Sequence, residues 1–261
     1  MQRILDLDLD AFVYGTAHFR DSSTRLDPEE FPAWELSRLT AFLEEQCLLD
    51  GPRPGFAVEH HGELFFRWRD AIDTGVLVPP FHVTHIDAHA DLGLGDAGYV
   101  YLLTELLAAP VDQRRGPRVG DGGLGDGNYL AFAIANQWIC GLDYVIGGRH
   151  GDLDDETTFS GRPGDLLVYL FENFDVDTRT IRLPLLDPQN LRENLLSTGQ
   201  LRPLALEPPV PFSWEVIPQY QAATPFDLVC LARSPGFTPE TADVLCDAIR
   251  EQFIDEQALP S

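Results

Sequence analysis

The segment His85-Ile86-Asp87-Ala88-His89-Ala90-Asp91 sets two imidazoles and two carboxylates at alternate positions, following the apolar stretch that opens at Phe81. Alternate side chains of an extended strand point to one side. His85, Asp87, His89 and Asp91 therefore project together for as long as the strand lasts. Oxygen and nitrogen donors without a thiolate suit a first-row divalent ion such as Mn²⁺, Fe²⁺, Co²⁺ or Zn²⁺. A polar turn with a helix cap is the plainer reading, but polar side chains this dense are rare at the end of a core strand.

Two further segments carry donors. Asp6-Leu7-Asp8-Leu9-Asp10 places three carboxylates on one face of a strand whose apolar residues mark it as interior. Such carboxylates repel one another unless a cation neutralises them. Asp8 and Asp10 stand nearest the carboxyl end and are the better ligands, with Asp6 behind them. In Glu59-His60-His61 the adjacent histidines of a strand end point in opposite directions, so at most one is a ligand. His18, His82 and His150 have no spacing that singles them out.

These segments must be held by alternating strands and helices. Strands are expected at 3–10, 55–59, 81–87, 143–146 and 226–232. Helices are expected from Asp27 to a stop at Asp50-Gly51, at 63–72, around 99–109, at 128–140 and at 238–253. Residues 166–171 and 179–185 are ambiguous, and 110–127 reads as a loop dense in Gly, Asp and Arg. Strands separated by helices imply a mostly parallel sheet covered on both faces. The expectation is a single three-layer α/β domain over residues 1–261, with ligands at the carboxyl ends of the strands.

Composition narrows the partners. There are 42 Asp and Glu against 18 basic residues, giving a net charge of −24, and every basic residue is Arg. Binding to a nucleic-acid backbone or to an anionic membrane surface is disfavoured, and a cationic ligand is favoured. Lysine chemistry is excluded. The four cysteines form no CxxC and have apolar flanks, as buried free thiols do. No signal peptide or membrane span is read, so a cytoplasmic location is expected.

Asp87-Ala88-His89-Ala90-Asp91 resembles the DAHxD motif of arginases and agmatinases, dimanganese ureohydrolases related to histone deacetylases. Asp8-Leu9-Asp10 resembles that superfamily's DxD strand end, and Glu59-His60-His61 stands where the family ends a strand in Asp-His. A closer resemblance is to the peptide arginases of ribosomal peptide pathways, which convert arginine residues of a precursor peptide to ornithine. It is carried by the N-terminal DLDLD, the EHH segment, HIDAHADL, Asn128-Tyr129 opening an apolar helix, and Arg233-Ser234-Pro235-Gly236-Phe237-Thr238-Pro239. In this chain the DxD strand precedes the DAHxD strand, a permuted order. Leu130 replaces the proton-shuttling histidine of ordinary arginases, and Cys230 stands where a guanidinium-binding Glu would fall.

The resemblance implies an arginase-like fold binding two Mn²⁺ per chain. Asp8 and Asp87 would bridge the ions, with His61 and Asp91 completing one and His89 and Asp10 the other. A hydroxide would attack the guanidinium carbon of an arginine in a precursor peptide, releasing urea. Asp91 would orient it, and His85 would fix a ligand or move protons unless it is a hydrogen-bonded core histidine. Glu59 is the candidate for the guanidinium and Asn128 for the peptide, and the 116–127 loop would lie at the rim or serve as a solvated connector. The alternatives are a small-molecule ureohydrolase or amide deacetylase of the same fold, a haloacid-dehalogenase-like phosphatase, and a metal-free binding scaffold.

Overall fold

Strand β1 (Arg3–Asp8) is buried along nearly its whole length, and its alternation sorts side chains between two cores. Ile4 packs with Phe81, Val83 and Cys230 on one side of the sheet. Leu5 and Leu7 pack with Ile86, Val229 and Leu231 on the other. Apolar layers on both faces are what a central strand of a parallel sheet requires. The computed structural model describes residues 1–17, 24–93, 97–148, 174–175, 177–189 and 203–258.

The other strands in chain order are β2 (Arg53–Val58), β3 (Phe81–Asp87), β4 (Ile139–Ile146), β5 (Phe174–Asp175) and β6 (Thr180–Ile181). They continue with β7 (Pro184–Leu185), β8 (Ala205–Leu206), β9 (Val210–Val216), β10 (Leu228–Ala232) and β11 (Ile254–Asp255). Among the described residues nine strands form one sheet in the order β11-β2-β10-β1-β3-β4-β9-β6-β5. Neighbours from β11 to β9 pair in parallel, and β6 and β5 extend that edge antiparallel. Strands β7 and β8 pair separately. Helices α2 (Glu63–Asp73), α3 (Ala97–Thr104) and α4 (Tyr129–Ala135) bury Phe65, Trp68, Leu102 and Leu130 on the Ile4 side. Helices α1 (Leu36–Ala41) and α5 (Asp243–Phe253) bury Leu39, Leu245 and Ile249 on the Leu5 side. The chain is thus α/β, with a mostly parallel, mixed sheet. Among the described residues no helix is long and apolar enough to cross a membrane.

Several elements differ from the sequence expectation. Asp27 caps a single turn, its carboxylate accepting from Glu29 N, and the helix begins only at Leu36. Pro32 has no N–H and disfavours helix before it; the chain there pairs instead with residues 12–14, through Tyr14 N to Pro32 O and Trp34 N to Phe12 O. Helix α4 stops at Ala135 rather than at Cys140. Gln137 takes φ +58°, while Gln137 N bonds Ile134 O and Trp138 N bonds Ala133 O. That is a Schellman ending, built here without the glycine that usually signals it. Strand β9 was not anticipated, because Pro208, Pro209 and Pro211 interrupt the alternation of Val210, Phe212, Trp214 and Val216. Pro211 lies opposite Thr180, on the antiparallel side. Residues 166–171, His18 and His150 lie outside the described residues.

Register brings the chemistry together. Asp6 stands beside His85 on β3 and beside Cys230 on β10, and Asp8 beside Ala232. The Asp6 and Asp8 side chains share the Ile4 face, as do His85 and Asp87 by their alternation with Val83. Beyond β4, a Cβ on Gly147 would fall 2.5 Å from Ala11, so only glycine lets that strand end close against the turn after β1.

Candidate metal centre

Turns, rather than continued strands, deliver the outer donors. Strand β1 ends at Asp8, whose carboxylate accepts from Asp10 N at 3.0 Å and opens a short 3₁₀ turn over Leu9–Phe12. Asp10 therefore leaves the alternation and reaches β3, where its Oδ1 accepts from Ala88 N at 3.1 Å. Strand β3 likewise ends at Asp87, whose Oδ1 accepts from His89 N at 2.6 Å. Asp91 sits at φ +48°, a conformation that Asp tolerates better than most residues. The expected common face of the DAHAD segment thus ends at Asp87. His89 and Asp91 arrive through the turn because side-chain acceptors replace the ladder.

His61 comes from further away. It lies in the turn between β2 and α2, its carbonyl accepting from Leu64 N, and β10 separates β2 from β1. The small side chains of Cys230 and Ala232 on β10 leave the imidazole room to cross to Asp6 and Asp8. Its Nδ1 lies 2.9 Å from Asp8 Oδ2, 3.1 Å from Asp91 Oδ2 and 3.2 Å from Asp87 Oδ2. Yet neither His61 Nδ1 nor Asp87 Oδ2, both buried, makes a hydrogen bond. A ring nitrogen and three carboxylate oxygens facing one another without a hydrogen bond at that nitrogen are what a cation site presents. A second group adjoins it: His89 Nδ1 lies 2.9 Å from Asp10 Oδ2 and 3.6 Å from Asp87 Oδ1. Asp87 belongs to both groups, with one oxygen toward each. These buried Asp and His groups can hold a metal ion.

The electrostatics fit that chemistry. Asp6, Asp8, Asp10, Asp87 and Asp91 are all buried, and among the described residues their ion-pair partners are histidines only. Burial, then repulsion from Asp8 and Asp87, holds Asp10 well above the usual carboxylate range. Burial, then Asp87, pushes Asp91 up to about 7. Burial disfavours the charged form of His89, but Asp10 and Asp87 outweigh it and carry the ring up to about 12. Protons thus occupy the site where positive charge is needed, and a cation must displace them. Cation affinity is therefore expected to rise with pH between about 5 and 8, with proton release on binding. Titration calorimetry in buffers of different ionisation heat checks this; a pH-independent affinity would contradict it.

The remaining candidates are placed as follows. His85 is buried, with Nδ1 3.0 Å from Asp6 Oδ2 and Nε2 3.2 Å from the His89 carbonyl. Asp6 and a main-chain carbonyl hold the ring as a hydrogen-bonded core histidine, and Nε2 also lies 3.3 Å from Asp87 Oδ2. Glu59 is exposed at the end of β2 and pairs with Arg233 at 3.3 Å. Asn128 is buried, accepting from Gly125 N and donating to Gly123 O. It thereby clamps the glycine-rich loop, whose Asp126 accepts from Gly62 N beside His61. His82, on the opposite face of the sheet, pairs with Asp143 at 2.7 Å.

Two residues without an assigned role in the sequence reading belong to the centre. Tyr129 donates its hydroxyl to Asp6, and Ser234 donates to Asp8 Oδ2. A signal existed for Ser234, a small polar residue one position beyond Arg233 at the end of the apolar run of β10; it takes φ +46°. Tyr129 carried none, since an aromatic opening an apolar helix reads as core.

Against protein-family models, curated proteins and solved structures, the chain has no match. His60 is half exposed, 3.5 Å from Asp126, and points away from the carboxylates. His60→Ala is expected to retain cation affinity within about twofold, whereas His61→Ala loses roughly 100-fold or more; chelator competition compares the two, and the reverse order would contradict the placement.

Proposed function

We propose that this protein is a dimanganese hydrolase that converts arginine residues of a precursor peptide to ornithine, releasing urea. The observation that carries the reading is Asp87, which turns one oxygen to the His61 group and the other to the His89 group. A carboxylate shared between two buried donor sets is what two cations about 3.5–4 Å apart require. Asp8 turns Oδ2 to His61 while its Oδ1 accepts from Asp10 N, so it would hold one ion rather than bridge as the resemblance implies. Asp91, His61 and Asp87 complete that ion, and Asp87, Asp10 and His89 would hold the other. When bound, the pair supplies a water acidified toward neutral pH.

The chain's own groups supply the rest. Asp91 would accept a hydrogen bond from the attacking water and orient it toward the guanidinium carbon. Glu59 is the carboxylate for the substrate guanidinium, which it would hold by paired hydrogen bonds. Its present partner Arg233 is bound more closely by Asp243, at 2.6 Å, than by Glu59, at 3.3 Å, so Arg233 can release Glu59 and keep its other partner. The net charge of −24 draws in a cationic side chain. Water adds to the guanidinium carbon, the bond from that carbon to the side-chain nitrogen breaks, and ornithine keeps the amine. Protein supplied with Mn²⁺ and an Arg-containing peptide should produce urea and a mass loss of about 42 Da per arginine, the stoichiometry of this hydrolysis. Release of acetate from an acetyl-lysine peptide without urea would replace this reading with deacetylation.

A further inference from the structure

Behind His61 lies a hydrogen-bonded chain that the cation donors alone do not account for. Asp6 stands one strand repeat behind Asp8 and is fully buried. Its Oδ1 is 3.1 Å from His61 Nε2. Its Oδ2 accepts from Tyr129 and lies 3.0 Å from His85 Nδ1. The Tyr129 ring stacks on the His61 ring with centroids 4.6 Å apart.

A neutral imidazole has one N–H and one lone pair, and the partner of one nitrogen decides which nitrogen holds which. His61 Nε2 faces the Asp6 carboxylate at 3.1 Å and the Tyr129 hydroxyl oxygen at 3.0 Å. The Tyr129 proton goes to Asp6, so both are acceptors, Nε2 donates, and Nδ1 is left with the lone pair. That lone pair faces Asp8, Asp87 and Asp91.

We propose that Tyr129 and Asp6 are positioning residues: the Tyr129 hydroxyl anchors the Asp6 carboxylate, which holds His61 in its Nε2–H form and turns Nδ1 to the cation. The inference rests on the His61 group being a cation site, as argued above. Asp6, His61 and His85 also lie close enough together to surround an ion themselves. There, however, the facing atoms of all three residues already have hydrogen-bond partners, whereas Nδ1 on the other side of the His61 ring has none. Asp6 belongs to the scaffold of the site, and Asp8 to its ligands.

The test is Zn²⁺ affinity by chelator competition, with nitrogen-15 NMR of the histidine rings, for the unaltered protein, Asp6→Asn and Tyr129→Phe. Asp6→Asn should lose about 10- to 100-fold in affinity, as removal of a carboxylate behind a ligating histidine does, and Tyr129→Phe should lose less. His61 should show a single Nε2–H form in the unaltered Zn²⁺-loaded protein and a mixture of forms in Asp6→Asn. Unaltered affinity in both variants, or an Nδ1–H form of His61 in the loaded protein, would overturn the proposal and leave the cation site standing. If Asp6→Asn does not fold, Tyr129→Phe decides, because it removes one oxygen and keeps the ring stack. Unchanged affinity and an unchanged His61 spectrum in that variant overturn the inference. No Zn²⁺ uptake by the unaltered protein overturns the cation site itself, a different and separately visible failure.

Discussion

Asp87→Ala is expected to abolish urea release, lowering kcat by roughly 10⁴-fold or more, about 5 kcal/mol of transition-state stabilisation. Among the described residues Asp87 is the one side chain that faces both donor groups, so its loss removes an oxygen from each at once. Cation stoichiometry should fall with activity, because the remaining Asp10 and His89 are too few to hold an ion. Steady-state kinetics on an Arg-containing peptide, paired with metal analysis of the same preparation, checks both halves. A variant that keeps its cations and more than a tenth of its activity would show that Asp87 is not the shared ligand.

The second large effect concerns substrate choice. Free arginine has a net charge of about +1 at neutral pH, because its α-ammonium and α-carboxylate cancel, whereas a peptide carrying several arginines brings several positive charges to a surface of net charge −24. Electrostatic attraction of this kind changes association by about 10- to 1000-fold. We therefore expect kcat/KM for a peptidyl arginine to exceed that for free L-arginine by a factor in that range. Raising salt from about 0.01 M to 1 M should shrink the advantage, since the screening length falls from about 30 Å to 3 Å. Competition between the two substrates at both salt levels measures this. Equal turnover of free arginine or agmatine would move the assignment to a small-molecule ureohydrolase and leave the guanidinium chemistry in place.

What could be read from residue order, and what could not, follows from the range of the forces involved. Strand β3 was legible to its bounds, because Phe81 to Asp87 is an apolar run closed by an abrupt polar cluster. Strand β1 was legible from its alternation, and the two together located Asp6, Asp8, His85 and Asp87 on one face. Alternation was misleading beyond the strand ends. Asp10 and His89 are placed by side-chain acceptors that cap turns, and the sequence looks the same whether such a residue extends a strand or closes it. The reach of His61 across β10 depends on the small Cys230 and Ala232 about 170 residues away in the chain. No local pattern contains that relation. The same holds for Tyr129, whose value to the site arises only when α4 docks over Asp6. Helix ends failed for a local reason: Gln137 adopts a conformation that glycine or asparagine normally announces. Pro32 was the signal against a long first helix, and the Asp27-Pro28 start outweighed it.

The Asp and His groups joined by Asp87 are proposed to form a two-cation centre. The measurement that bears on it most directly is the metal content of the pure protein after loading with Mn²⁺ and removal of excess ion, by mass spectrometry of the elements. The expected result is about two divalent ions per chain, falling below one in Asp87→Ala, with urea release following occupancy. A loaded protein that retains no ion, or one that releases urea undiminished after exhaustive chelation, would contradict it.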